Sequence, residues 1–145
     1  MTIQPYCRKA NFYETDQMGV IHHSNYIRWF EEARVDLMEQ MGYGYSRATE
    51  TGIDFALIGL SCEYKSMVRF GDGVQIYAEV ESITPSRMSL RYTVTDADTG
   101  EVRATGETRH CYFSGKRQRP VSLKKELPEL YGLIAGLVRQ KPEDK

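Results

Sequence analysis

Apolar residues recur along this chain with two different periods, and the change between them divides it. From residue 25 to residue 41, Tyr26, Ile27, Phe30, Ala33, Leu37, Met38 and Met41 fall three or four positions apart. That spacing lines one face of an α-helix, and Arg28, Glu31, Glu32, Asp36, Glu39 and Gln40 lie largely off it. The pattern predicts a helix over Asn25–Met41, with Ser24 or Asn25 supplying the N-cap oxygen and Gly42 the left-handed residue that ends it. From about residue 53 the period falls to two. Val74, Ile76, Ala78 and Val80 alternate with polar positions, as do Met88, Leu90, Tyr92 and Val94. Turn signals stand at Gly71-Asp72-Gly73, Thr84-Pro85-Ser86 and Asp98-Thr99-Gly100. Four strands are expected there, with residues 101–113 long enough for a central or interface strand.

Residues 3–13 also read as a strand, followed by a polar, irregular stretch from Glu14 to Ser24. In the tail, Leu127, Leu130, Tyr131, Ile134 and Leu137 return to helical spacing, and Pro128 marks a helix beginning near it rather than at Leu123. Residues 139–145 read as a frayed end. A helix laid on one antiparallel sheet of about five strands gives an α+β, two-layer domain spanning residues 1–145.

Composition narrows the function. The 145 residues are 41% hydrophobic, enough for a single core and not for two. A net charge of -1 provides no global basic field for nucleic acid or an anionic membrane. No apolar run approaches a membrane span, and Met1–Tyr6 does not resemble the start of a signal peptide, so a cytoplasmic protein is expected. Cys7, Cys62 and Cys111 are far apart, in alternating apolar segments, and read as reduced thiols rather than ligands.

The irregular stretch carries the chemistry. Asp16 is a carboxylate ahead of a turn at Met18-Gly19; His22, His23, Ser24 and Asn25 then lead into the helix. A helix N-terminus presents free N–H groups and the positive end of the dipole, which can polarise a carbonyl and hold a developing oxyanion. Asp16 is then the candidate base or nucleophile. Taken alone it reads equally as an Asx-turn residue. Adjacent histidines rarely place both rings on one ion, and no third ligand has suitable spacing, so no metal is expected. Tyr26, Trp29 and Phe30 fit either a substrate pocket or the core, and His110 reads as structural.

The segment Y-E-T-D-Q-M-G-V-I-H-H-S-N-Y-I-R-W-F-E-E-A-R, Tyr13 to Arg34, resembles the signature of the 4-hydroxybenzoyl-CoA and YbgC-type acyl-CoA thioesterases. Weaker likeness continues through Glu63–Asp72 and Thr108–Phe113. The resemblance implies the hotdog fold, a sheet wrapped around one long helix, with a short C-terminal helix here. It implies hydrolysis of acyl-CoA without a cofactor, in a homodimer or homotetramer that binds substrate at the protomer boundary. It places the catalytic carboxylate on Asp16, as nucleophile or general base, the turn glycine on Gly19, and the family's histidine on His23. The backbone near His23 and Ser24 would polarise the thioester carbonyl. His22 stands where Tyr is usual. Met67 replaces a usual proline, and Leu123-Lys124 a usual Leu-Pro. Tyr26 is a candidate for the acyl pocket, and Lys116, Arg117 and Arg119, with Arg87 and Arg91, are candidates for the CoA phosphates. An acyl-carrier-protein donor, or an acyl-thioester binding module without catalysis, are the competing readings.

Overall fold

The computed structural model describes residues 2–138, the side chain of Tyr45 excepted. The long helix α1, His23–Gln40, lies across a sheet formed by β1 (Tyr6–Lys9), β2 (Ile53–Tyr64), β3 (Gly73–Ile83), β4 (Arg87–Asp96) and β5 (Val102–Ser114). The spatial order is β1-β3-β4-β5-β2, every neighbouring pair antiparallel, and a two-residue β6 (Arg119–Pro120) folds back on β5. A short α2 (Tyr45–Thr51) joins α1 to β2, and α3 (Leu123–Glu126) and α4 (Pro128–Ala135) close the chain.

The central period-two segments form the sheet because one side of each meets the helix. Val74, Ile76, Ala78 and Val80 of β3 and Met88, Leu90, Tyr92 and Val94 of β4 are all buried. Against them α1 presses Tyr26, Trp29, Phe30, Ala33 and Leu37. Phe30 stacks on Tyr92 with ring centroids 4.5 Å apart, and it reaches the sheet because Gly106 lies beneath it. A Cβ at Gly106 would stand 2.4 Å from the Phe30 ring, so any side chain there would lift the helix. Burying two rings of the size of Trp29 and Phe30 contributes about 4–6 kcal/mol each before the entropy of fixing them is counted.

The structure corrects the expected elements at three places. β1 is four residues long rather than spanning 3–13, because the chain leaves the sheet at Ala10 and turns through a 3-10 segment at Phe12–Glu14. The helix starts at His23, and its cap is the imidazole of His22, whose Nδ1 accepts the Ser24 N–H at 3.2 Å. Asn25 does not cap; its buried amide donates to the Glu14 carbonyl at 2.9 Å. The helix α2 and the single turn α3 had no signal strong enough to read. Gly42, with φ +83°, follows the end of α1, and Pro128 opens α4, both as expected. Residues 139–145 lie outside the described residues. No helix among the described residues is long and apolar enough to cross a membrane.

The turn before α1 is tied down by a buried charge. Glu14 is 5% exposed; its Oε1 accepts from Arg8 Nη2 at 2.6 Å and the Asn11 N–H at 2.9 Å, and its Oε2 accepts from Trp29 Nε1 at 2.8 Å. Arg8 also bonds Glu32 on α1 at 2.7 Å and lies over the Trp29 ring. A second buried polar chain runs under the helix. The Tyr92 hydroxyl, the Thr108 hydroxyl and His110 Nε2 are linked at 2.8 and 2.9 Å, and His110 Nδ1 faces the Phe55 carbonyl at 3.4 Å.

Two outcomes follow. Glu14→Gln removes the charge opposite Arg8 and is expected to lower the unfolding free energy by about 3 kcal/mol in urea titration, whereas a loss under about 1 kcal/mol would show that the clamp holds little. Burial, aided by the Arg34 cation, lowers the His110 pKa from its ordinary 6.5 to about 4. The unfolded chain therefore takes up this proton before the folded one does. Stability from this group is full above pH 6.5 and falls progressively as the pH drops towards 4, and His110→Gln should flatten that part of the stability profile relative to the wild type.

Candidate active site

The stretch from Thr15 to Ile21 is a tight hairpin, with those two residues bridged and the Asp16 N–H bonded to the Val20 carbonyl at 2.9 Å. Its reversal needs Gly19 in the left-handed region, at φ +78°, where a side chain would be strained although nothing crowds it. Outward, the hairpin is pinned to residues 68–69 by the Ile21 N–H on the Val68 carbonyl at 2.8 Å and by a bridge between Val20 and Arg69. Inward, it is pinned by Glu14, whose carbonyl also accepts the His22 N–H at 2.8 Å. Asp16 is thus held on both sides, two residues from a buried ion pair.

One oxygen of Asp16 accepts the Met18 N–H at 2.8 Å, an Asx turn. The carboxylate also borders a cavity of about 300 Å³ shared with His23, Tyr26, Tyr64, Lys65 and Met67. His23, the first residue of α1, also lines that cavity. Ser24 N–H is engaged by His22 Nδ1 and Asn25 N–H by the His22 carbonyl at 3.0 Å, while the His23 N–H is bonded to no described group. Asp16, the helix-terminal residue His23 and the apolar side chains of Val20, Ile21 and Met67 therefore line one recess. That set can activate water or attack a carbonyl carbon, and can hold the oxygen on which charge develops.

The histidines divide in function. The His22 ring caps the helix and also meets the Ser24 hydroxyl at 2.9 Å, so Nδ1 acts as the acceptor and the neutral ring carries its proton on Nε2. His23 is exposed and stacks on His22 with centroids 4.0 Å apart. Tyr26 is 3% exposed and packs against Tyr64, so it belongs to the core and to the cavity wall together. Tyr64 was not singled out from sequence. Its hydroxyl donates to the His23 carbonyl at 3.0 Å, linking β2 to the helix start, and its pKa is pushed up to about 12 by burial and by the neighbouring Cys62. Met67, the unusual residue of the second motif, also lines the recess. Its place beside Tyr64 and Lys65 at the end of β2 was the available signal.

The basic cluster lies elsewhere. Lys116 and Arg117 occupy the turn after β5, with Arg119 in β6, all exposed, and Arg117 pairs with Glu126. Along β5 the Tyr64 end of the sheet is at Ala104 and the basic turn follows Ser114, which is about 33 Å away at the rise of an extended strand. One chain does not bring these cations to Asp16.

A family model described as Thioesterase-like superfamily matches residues 10–130. A curated relative from Aquifex aeolicus (strain VF5) is 34% identical over 125 residues, covering 86% of this chain and 94% of its own. The acyl-CoA thioester hydrolase YbgC of Escherichia coli O157:H7 is 23% identical over 90 residues, 62% of this chain and 67% of that one. Among solved structures, the DHNA-CoA thioesterase from Staphylococcus aureus superposes with a TM-score of 0.87 at 28% identity, covering 94% of this chain and 91% of that one. Sheet order, helix and sequence match thus agree over nearly the whole chain, which belongs to the Thioesterase-like superfamily and has its hotdog fold.

Proposed function

We propose that this chain hydrolyses acyl-CoA to a carboxylic acid and free CoA, with Asp16 as the reacting carboxylate. The observation that carries the reading is the shared recess: Asp16 borders it, and so does His23, whose N–H has no described acceptor. The His23 N–H, at the positive end of α1, receives the thioester oxygen and steadies its charge as the carbonyl carbon becomes tetrahedral. Asp16 either takes a proton from water, whose oxygen adds to that carbon, or adds to the carbon itself to form an anhydride that water then opens. In both routes the C–S bond breaks and the CoA thiolate leaves, with the exposed His23 ring at hand to supply its proton. The family's thioester chemistry and the relatives named for CoA substrates support this assignment.

The enzyme is proposed to act as a homodimer or larger homo-oligomer built on β2. This strand is twelve residues long, lies at the sheet edge, and α1 leaves much of its inner side uncovered. Leu57, Leu60 and Tyr64 on that side are 50%, 40% and 47% exposed. An edge of this length carrying an apolar stripe is paired or covered in stable proteins. Antiparallel pairing of two β2 strands would also carry the Lys116–Arg119 turn of the second copy towards the first copy's Asp16, where cations suit the CoA phosphates.

Asp16→Asn keeps an oxygen for the Met18 N–H, so the turn survives while the reactive carboxylate is lost. Thiol release from acyl-CoA is expected to fall roughly a thousandfold in kcat with KM little changed; full turnover in this variant would remove Asp16 from the chemistry. A single turnover in ¹⁸O water that leaves label in the Asp16 side chain establishes the anhydride route, opened by water at the Asp16 carbonyl carbon, since the general-base route puts none there. Leu60→Glu should convert the oligomer to monomer by light scattering and abolish turnover with it. A wild-type monomer at micromolar concentration would overturn the proposed assembly.

A further inference from the structure

Lys65, Ser66 and Met67 line the Asp16 recess just beyond the last paired residue of β2, Tyr64 opposite Ala104. A stretch outside the ladder keeps its shape only through other bonds. Here they converge on Arg103. Its carbonyl accepts the Lys65 N–H at 2.8 Å and the Ser66 N–H at 3.1 Å. Its guanidinium donates from Nη1 to the Ser66 hydroxyl at 3.2 Å, and that hydroxyl donates to the Val102 carbonyl at 3.2 Å. Ser66 is therefore not set up as a nucleophile, since its proton goes to a backbone carbonyl rather than to a base.

The guanidinium is oriented from its other side by charge. Nη2 donates to Asp96 Oδ2 at 2.8 Å, and Nη1 also meets Glu101 Oε1 at 3.1 Å. Asp96 is buried and Arg103 nearly so, which shields the pair from solvent. The bond from Arg103, with the Thr99 N–H next, lowers the Asp96 pKa to about 2, so the pair stays charged at any working pH. The turn between β4 and β5 does not account for it. That turn is closed by the Asp96 N–H on the Glu101 carbonyl at 2.8 Å and by Asp96 Oδ1, which accepts the Asp98 and Thr99 N–H groups, both at 2.9 Å. Oδ2 is left to Arg103. The cation also carries a cost: its Nε is buried with no acceptor among the described residues, which a strand residue serving stability alone would avoid.

The outer support of Asp16 hangs from this clamp. Two residues beyond Ser66, the Val68 carbonyl accepts the Ile21 N–H, and Arg69 bridges Val20, whose own carbonyl accepts the Asp16 N–H. The fully buried Val68 side chain keeps the segment against the core. Apolar contact has no direction, however, and the hydrogen bonds set where along the core the segment sits.

We infer that Arg103 is a positioning residue for the reaction: through Ser66 it fixes the 65–69 segment that lines the recess and supports the Asp16 hairpin. The inference rests on the thioesterase reading and adds to it a residue far from Asp16 in sequence, one that acts through Ser66 rather than on the reacting atoms.

The test compares thiol release from acyl-CoA by four variants. Ser66→Ala breaks only the link to Arg103, and its kcat should fall roughly tenfold with KM changed less than about twofold. Ser66→Thr keeps a hydroxyl and should restore kcat to within about twofold of the wild type. Asp96→Asn leaves an oxygen for the turn, unseats Arg103 and should match Ser66→Ala; these two carry the test should Arg103→Met fail to fold. Arg103→Met should lose at least as much, and adding Ser66→Ala to it should cost nothing more, because both act through one link. Amide exchange supplies a readout apart from activity. In Ser66→Ala the Ile21 N–H should exchange roughly tenfold faster, while the His22 N–H, held by Glu14, keeps its wild-type rate. Wild-type kcat in Ser66→Ala or Asp96→Asn, a loss confined to KM, losses that multiply in the double variant, or an Ile21 amide that does not quicken each overturns the inference while leaving hydrolysis in place. No thiol release from any acyl-CoA by the wild type overturns instead the thioesterase reading, and with it the role given to Arg103.

Discussion

A single buried carboxylate sets the geometry on which the site depends. Glu14 is desolvated, and a desolvated charge persists only where a counter-charge and donors meet both its oxygens. Arg8 from β1, Trp29 from α1 and the Asn11 amide do so from three directions. This makes the first strand, the helix and the turn between them one unit. The backbone of the same residue accepts from His22 and Asn25, so the start of α1 is fixed by the contact that fixes the turn. Asp16, two residues on, and the His23 N–H inherit their relative position from that unit.

The uncovered strand follows from dimensions. Five strands about 4.8 Å apart make a sheet roughly 19 Å across, while one helix with its side chains is about 10–12 Å wide. Here α1 lies over the middle of the sheet and β1 fastens to it through Arg8 and Glu32, so the deficit falls on the opposite edge. That edge is β2, which carries Leu57, Ile58, Leu60 and Tyr64 in the open. A partner along this edge would cover the stripe.

Much of this was legible from residue order because it depends on periodic burial. The alternation in Val74–Val80 and Met88–Val94 located two central strands, and the helical stripe located α1. Gly42 and Pro128 marked ends because backbone geometry restricts which residues serve there. What escaped notice has no period. Glu14 looks like any polar loop residue until Arg8 and Trp29 stand beside it, and β1 is short because that carboxylate draws the chain out of the sheet. His22 caps the helix through a ring nitrogen, where oxygen-bearing side chains were the natural expectation. The basic residues at 116–119 were an evident cluster, but charge along a sequence carries no distance, and β5 sets them at the far end of the sheet from Asp16.

Asp16 shows why a structural reading of a site residue need not compete with a functional one. Its hydrogen bond from Met18 is the Asx turn that a bland interpretation would predict. That bond occupies one oxygen and leaves the other facing no described donor, on the border of a recess. A free carboxylate in a loop would sample many orientations and lose the advantage of proximity, which depends on holding the reacting atoms near their final geometry. The turn fixes the side chain to the hairpin, Gly19 lets the hairpin close, and Glu14 fixes the hairpin to the helix whose first residue, His23, lines the same recess. The local structural role is therefore a condition for the chemical role proposed for Asp16.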